Sequence, residues 1–389
     1  MPDLFSSHKK GRAIIGGGCW LIFVAAALLV LGASRPWAEM SVQPAEAFSA
    51  IWQRQSGWIG ADGAYSVALG DDRVLWLFGD TLVGSVQNGR RVETSIIRNS
   101  VAIQHGLDPQ EAGIRFYFRP DSTLPPQAIF KPPDGKGWLW PMDGIVTSSG
   151  LVVFLVQVRQ TEETDSFGFK LTGLWAGHIA DFSGPPDQWP VNYTRVPWAG
   201  FAPSGDRLFG SALLLVDDFV YIYGTDEDRN GVHRHKFMIL ARAPQNRLLD
   251  FDAWKFYAGG QWLSAPDSGE RLCDGMANEL SVSYDAAIDR YVAVYTRDGF
   301  LGPLEIRMAN RPWGPWQSPI ELYRCPEMAK NRDAFCYAGK GHPAVSPPGT
   351  LLVSYVAGST NLDLLAGDAT LYWPRFLRVE LNPPRPIER

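Results

Sequence analysis

The sequence predicts an all-β chain, a five-bladed β-propeller preceded by an N-terminal transmembrane or signal helix. Three observations predict it. β-rich runs recur along the chain, no amphipathic helix pattern longer than three turns follows the N-terminal region, and a basic start precedes one long apolar run.

The N-terminal region comes first. His8, Lys9, Lys10 and Arg12 form a basic start at residues 1–12, and Ala13 to Ala33 then runs uncharged. A run of about 20 apolar residues is long enough to cross a bilayer as one helix. The basic flank would stay in the cytoplasm. Residues 13–33 therefore read as a signal anchor or a cleaved signal peptide. Both readings export the rest of the chain, as a secreted, periplasmic or cell-surface protein, the uncleaved form held on the inner membrane. Residues 34–45 read as a linker and 46–389 as the propeller.

Composition narrows the partners. The formal net charge of -5 argues against nucleic acid, which demands a basic face. Aromatic residues make up 12% of the 389-residue chain, with 15 Trp. Most suit packing between blades, and a few could stack on sugar rings. A polysaccharide or oligosaccharide partner and a monomeric state follow as expectations. Cys325 and Cys336 could close a small disulfide loop in an oxidising compartment, leaving Cys273 over. No Cys/His spacing suggests a zinc site.

The repeat sets the architecture. The runs RVLWLFGDT, LVVFLVQV, FVYIYGTDE, RYVAVYTRD and LLVSYVAG recur at spacings of roughly 60 to 80 residues. Shorter segments precede them: GADGAYSVAL, PMDGIVTSSG, LFGSALLLVD, MANELSVSYD and KGHPAVSPPG. Third runs follow in SIIRNSVAI, KLTGLWAGHI, HKFMILARA and LEIRMANRP, and Trp189, Trp254 and Trp316 occupy matching places after three of these. Such a unit cannot bury both its faces alone, so its core forms between neighbours. Blades are expected to start near Ile59, Trp140, Leu208, Met276 and Lys340, with Phe48 to Gln55 supplying the outermost strand of the last blade. A β-sandwich pair is the alternative.

The first strand of each blade lines the central channel. In register, the five segments place Asp62, Asp143, Ser211, Glu279 and His342 around one axis. Glycoside hydrolysis needs one carboxyl to protonate the leaving oxygen and another to activate water or attack the anomeric carbon. A third carboxylate can raise the acid's pKa by repulsion. Asp62, Glu279 and Asp143 are thus the candidate catalytic residues. Asp80, at the end of VLWLFGD, joins them. Each of these acids could instead cap a turn, and Asp-Gly is a common turn pair. Ser211, His342, Asn278, Arg98, Arg307 and Lys340 are candidate substrate-binding residues, and no metal ligand set is assigned.

The stretch GWIGADGAYSVALGDDRVLWLFGDTLVGS, followed by RNSVAIQ, resembles the opening blade of bacterial propellers described as domains of unknown function. These are similar to the five-bladed glycosidases that include arabinanases and arabinofuranosidases, and one branch resembles endo-acting enzymes on D-arabinan. RMANRPWGPWQSP and GHPAVSPPGTLLVSY resemble the fourth and fifth blades of that superfamily. The resemblance implies that Asp62 is the base or nucleophile and Glu279 the proton donor. It implies a third acid at Asp143 or Asp80, no cofactor, and in some relatives a central ion near the histidine matched by His342. The resulting expectation is an extracytoplasmic glycoside hydrolase acting on an envelope or environmental glycan, furanosidic in the arabinan sense. The alternatives are a non-catalytic glycan-binding propeller, an envelope scaffold and a glycoside phosphorylase.

Overall fold

The computed structural model describes residues 40–381, apart from 109–110, 120–124, 162–167 and 232–233. The candidate membrane or signal segment at 13–33 lies outside the described residues. Among the described residues no helix is long and apolar enough to cross a membrane.

Five antiparallel sheets form the blades. Their inner strands are Tyr65–Gly70, Trp138–Thr147, Gly205–Val216, Leu280–Asp285 and Phe335–Gly341. Four blades have four strands each; the third has six, extended by the short strands Gly200–Ala202 and Gln261–Leu263. Each inner strand packs beside the next. Side chains bind them across the ring: Leu213 N–H donates to Asp143 Oδ2 at 2.7 Å, and Gly341 N–H donates to Ser281 Oγ at 2.7 Å. His342 closes the circle from blade 5 to blade 1, with Nδ1 2.9 Å from Ser66 Oγ.

The β-runs become central strands because they are apolar on both faces. Leu151 to Val156 of blade 2 are all buried, which suits a sheet covered on each side by a neighbouring blade. Aromatic side chains fill the gaps. Phe154 of blade 2 meets Trp254 of blade 3, and Tyr223 of blade 3 donates its hydroxyl to Pro312 O of blade 4. Trp189, Trp254 and Trp316 each precede the strand that pairs with the third long strand of their blade. The first two fold back on their own loops, donating to Gly184 O and Leu248 O.

Three expectations are corrected. The closing strand is Ser41–Pro44, paired with Pro374–Glu380, so part of the predicted 34–45 linker belongs to blade 5. Phe48 to Gln55 is not that strand: Glu46–Ala50 is a short helix. Ala45, Glu46, Ala47 and Ala50 have weak strand propensity, and Phe48 and Trp52 fall four apart on one helical face. Ile59 does not begin blade 1. It lies in Ser56–Ala61, one strand of an additional three-stranded sheet completed by Thr81–Gln87 and Arg90–Ile97. This sheet is an insertion before and within blade 1.

The predicted disulfide is formed. Cys325 follows the outermost strand of blade 4 and Cys336 lies in the inner strand of blade 5, with Cα atoms 6.4 Å apart.

Trp52 is the keystone of ring closure. It is fully buried among Trp58, Trp76, Phe78 and Phe376, joining the N-terminal helix to blades 1 and 5. Trp52→Ala should cost about 3–5 kcal/mol of stability. Denaturant melts of the two proteins test this, and an unchanged midpoint would contradict it.

Candidate active site

The acid groups gather where the inner strands begin. Asp62 sits in the tight connection between Ser56–Ala61 and the inner strand of blade 1. Gly63 (φ 86°) and Ala64 (φ 54°) turn the chain there. Gly79 N–H donates to Asp62 O at 3.1 Å, and Asp62 N–H to Asp80 O at 3.3 Å. A Cβ on residue 79 would collide with Asp62 Oδ1, so glycine is required beside the carboxyl. This is why the sequence reads FGD at the end of the second strand.

Asp62 is half-buried and heavily contacted. Tyr337 donates its hydroxyl to Oδ2 at 2.9 Å, and the Tyr372 hydroxyl is 3.2 Å from the same oxygen. Burial and the nearby carboxylates of Asp80 and Glu279 push its pKa up to about 8, against the two tyrosine hydrogen bonds. Burial pushes both tyrosine pKa values well above the ordinary range, and the Asp62 charge adds to it, so both remain donors.

Glu279 immediately precedes the inner strand of blade 4, and its side chain is 31% exposed. Its Oε1 is 3.6 Å from Lys340 Nζ. Lys340 is only 1% exposed, donates to Ala338 O at 3.0 Å, and lies 4.3 Å from the Tyr65 ring centroid. Burial lowers its pKa, while the charges of Glu279, Asp62 and Asp143 oppose that. One amine therefore serves three carboxyl groups from blades 1, 2 and 4.

Asp143 is in the cluster by a different route. Leu213 and Gly144 both donate backbone N–H to it, at 2.7 and 2.8 Å. Burial raises its pKa to about 7, against those bonds and Lys340. It ties blade 2 to blade 3, as a capping aspartate would. Asp80 faces the blade 1–2 boundary, accepting from Arg98 at 3.0 Å and from Trp140 Nε1 at 2.8 Å. Burial raises its pKa, against Arg98 and Trp140. The Arg98 guanidinium also covers the Trp138 ring at 4.3 Å.

Of the five expected channel residues, Ser211 and His342 make no hydrogen bond to the carboxyls, and β-bulges interrupt three of the inner strands. Register shifts leave Met142–Asp143, Gly210–Ser211 and Ala338–Gly339 without partners in the inner strands of blades 2, 3 and 5. A bulge re-aims the side chains beside it. Lys340, rather than His342, is brought to the carboxyls. His342 is fully buried beyond the strand, its ring nitrogens against Ser66 and Ser354 at 2.9 and 2.8 Å. Burial and Lys340 hold its pKa well below the usual histidine range. With one nitrogen donating and one accepting, its hydrogen-bonding capacity is met by those two hydroxyls. Ser211 is fully buried and its hydroxyl has no hydrogen-bond partner among the described residues.

Two other candidates, Arg307 and Asn278, are hydrogen-bonded within and between blades. Arg307 bonds Tyr295 Oη, Gln317 O and Asp274 within blade 4 and its entry loop. Asn278 Oδ1 accepts from Thr225 Oγ1 at 2.9 Å, linking the entry of blade 4 to blade 3. The sequence reading missed Tyr337, Tyr372, Trp140 and Tyr65 as site residues. Tyr337 stands three before Lys340 in CYAGKGH. Tyr372 comes from the connection between the second and third strands of blade 5 and has no counterpart in the repeat.

A cavity of about 370 Å³ continues down the channel from this cluster. Tyr65, Asp143 and Lys340 line it together with Ser66, Ser281 and His342. Asp62, Asp80 and Glu279 are not among the residues that line it.

The fold and site define a five-bladed propeller whose channel mouth carries a carboxyl cluster around one buried lysine. The chain belongs to the family described as Domain of unknown function (DUF5005), which matches residues 45–381. No curated protein matches the sequence. Among solved structures, a Bacteroides ovatus ATCC 8483 protein described as a candidate hydrolase shares the fold. It is 18% identical over 89% of this chain and 92% of that one, with a TM-score of 0.70. Other neighbours are glycoside hydrolases. The catalytic domain of a Coprinopsis cinerea GH62 α-L-arabinofuranosidase is 13% identical over 83% and 91% of the two chains, TM-score 0.44. An exo-β-1,3-galactanase of Phanerochaete chrysosporium is 11% identical over 90% and 67%, TM-score 0.43.

The raised pKa of Asp62 has a consequence for stability. Between the ordinary value of 3.8 and about 8, the unfolded chain releases a proton that the folded chain retains. Stability contributed by this group is therefore full below the unfolded value, falls as pH rises, and levels off above the folded value. Asp62→Asn removes the ionisation. Its Tm relative to the unsubstituted chain should rise from about pH 5 to about pH 8 and then stay constant. A Tm difference independent of pH would contradict the assignment.

Proposed function

We propose that this protein is a glycoside hydrolase and that Asp62 and Glu279 are its catalytic pair. The observation that carries the reading is the difference in their surroundings. Asp62 lies against the Tyr337 and Tyr372 hydroxyls, where burial raises its pKa to about 8, whereas Glu279 is 31% exposed with Oε1 3.6 Å from Lys340 Nζ. Pairs of carboxyl groups with divergent environments are how one site supplies an acid and a carboxylate at neutral pH.

The roles follow from this difference, and they reverse those the sequence resemblance implies. Asp62 donates its proton to the leaving glycosidic oxygen as the C–O bond breaks. Glu279 serves opposite it, as base toward water or as nucleophile at the anomeric carbon. Lys340 balances the charge that remains on the carboxyl groups. Trp140, half-buried beside Asp80, offers a ring face to a sugar. The resemblance around WLFGDT supports a furanosidic, arabinan-like glycan. The 13–33 apolar run and the Cys325–Cys336 disulfide support an extracytoplasmic location, with the apolar run as membrane anchor or signal.

One observation favours the glycan-binding alternative. Asp143 is occupied by two backbone N–H groups, so the third acid acts as a brace. The full chain assayed on a panel of cell-envelope and plant polysaccharides, with product detection, separates the readings. Asp62→Asn and Glu279→Gln should each lower turnover by at least about 100-fold with the fold intact. Full activity in either variant, or binding without product from the unsubstituted chain, would favour the binding propeller.

A further inference from the structure

Arg91 is a buried arginine outside the carboxyl cluster. It lies in Arg90–Ile97 of the inserted sheet and is 5% exposed. Among the described residues, none of its hydrogen bonds goes to a carboxylate. Its guanidinium donates to Ile59 O, and to Leu365 O, Asp368 O and Leu371 O of the blade 5 connection. That connection, residues 359–373, is the arm that ends in Tyr372. The arm meets the insertion at two further points. Ala369 N–H donates to Gly89 O at 2.9 Å, and a Cβ on residue 60 would collide with Tyr372 O. Tyr372 itself stands at φ 64°, a conformation a tyrosine keeps only when its surroundings enforce it.

The chain of contacts then reaches the site. The Tyr372 hydroxyl is 3.2 Å from Asp62 Oδ2 and 3.2 Å from Asp80 O. We propose that Arg91 is a positioning residue: by fastening the 359–373 arm to the inserted sheet, it holds the Tyr372 hydroxyl against Asp62. This rests on the reading of Asp62 as the proton donor. It gives the insertion, which no blade requires, a purpose in the chemistry. A guanidinium suits the task because its fork of five donors can serve several carbonyls at once, which an ammonium cannot do in the same plane.

The expected effect has a sign. The groups facing Asp62 are Asp80, Glu279, Tyr337, Tyr372 and Lys340. Of these, Tyr372 stabilises the ionised form by donating to it. Losing that donor should raise the Asp62 pKa by about one unit, the scale of one hydrogen bond to a charged group.

The test needs no substrate. The full chain is labelled with ¹³C-aspartate, and the Asp62 carboxyl signal is assigned by its loss in Asp62→Asn. Its titration is followed in the unsubstituted chain, Tyr372→Phe, Arg91→Met and the double variant. Gly60→Ala, which pushes the arm from its other side, serves where Arg91→Met does not fold. Arg91→Met or Gly60→Ala should reproduce the upward shift of Tyr372→Phe, and the double variant should add nothing further. An Asp62 titration unchanged in Arg91→Met and Gly60→Ala, with only Tm lowered, would overturn the proposal. So would a double variant shifted by the sum of the two. Neither outcome bears on whether the protein hydrolyses glycans, which the Asp62→Asn activity assay decides separately.

Discussion

Lys340 is almost fully buried, and the rest of the channel mouth is arranged around that fact. A buried ammonium is tolerated only where carboxylates and carbonyl oxygens replace its water. Here Ala338 O and Glu279 do so directly, and the carboxyl groups of Asp62 and Asp143 stand nearby. The dependence runs the other way as well. Three carboxyl groups on three different blades would repel one another without a cation between them. Burial raises the pKa of Asp62 to about 8 and that of Asp143 to about 7, which relieves the negative charge the single amine leaves. The same arrangement that makes the cluster stable thus leaves one member protonated, which is what proton donation to a leaving group requires.

The backbone that delivers these groups is irregular where it matters. Bulges in the inner strands of blades 2 and 5 turn Asp143 and Lys340 toward the axis, and the Gly63–Ala64 turn and Gly79 leave space for Asp62. The regular parts of the blades act as the frame. Their cores lie between sheets, so each blade is held by its neighbours, and the ring is closed by Ser41–Pro44, by the Trp52 aromatic cluster and by the His342–Ser66 contact. The inserted sheet adds a further link between blades 1 and 5, with Arg91 at its centre.

How far the sequence could be read depended on whether a feature repeats. The second-strand runs and the segments before them recur five times, and they located the blades. Asp62 and Glu279 were legible because both fall just before an inner strand, where the chain enters the channel mouth. His342 was set beside the carboxyls in place of Lys340 because a bulge adds residues without leaving a mark in the pattern of apolar side chains. Gly339 is its only trace. The closing strand was assigned to Phe48–Gln55 because that segment precedes the first blade, but Val42 and its neighbours pair with blade 5 through backbone hydrogen bonds, which no side-chain pattern reveals. Tyr372 and Arg91 were invisible for the same reason. They come from a connection and an insertion, and Arg91 bonds only to carbonyls.

The central claim is that Asp62 holds the proton of a cluster balanced by Lys340. Neutron diffraction from deuterated crystals at about pH 7 tests it most directly, because it locates the hydrogens themselves. The account predicts a deuteron on the Asp62 carboxyl, three deuterons on Lys340 Nζ, and the hydroxyl deuterons of Tyr337 and Tyr372 both directed at Asp62 Oδ2. An ionised Asp62 beside a neutral Lys340, or tyrosine deuterons turned away from the carboxyl, would contradict it.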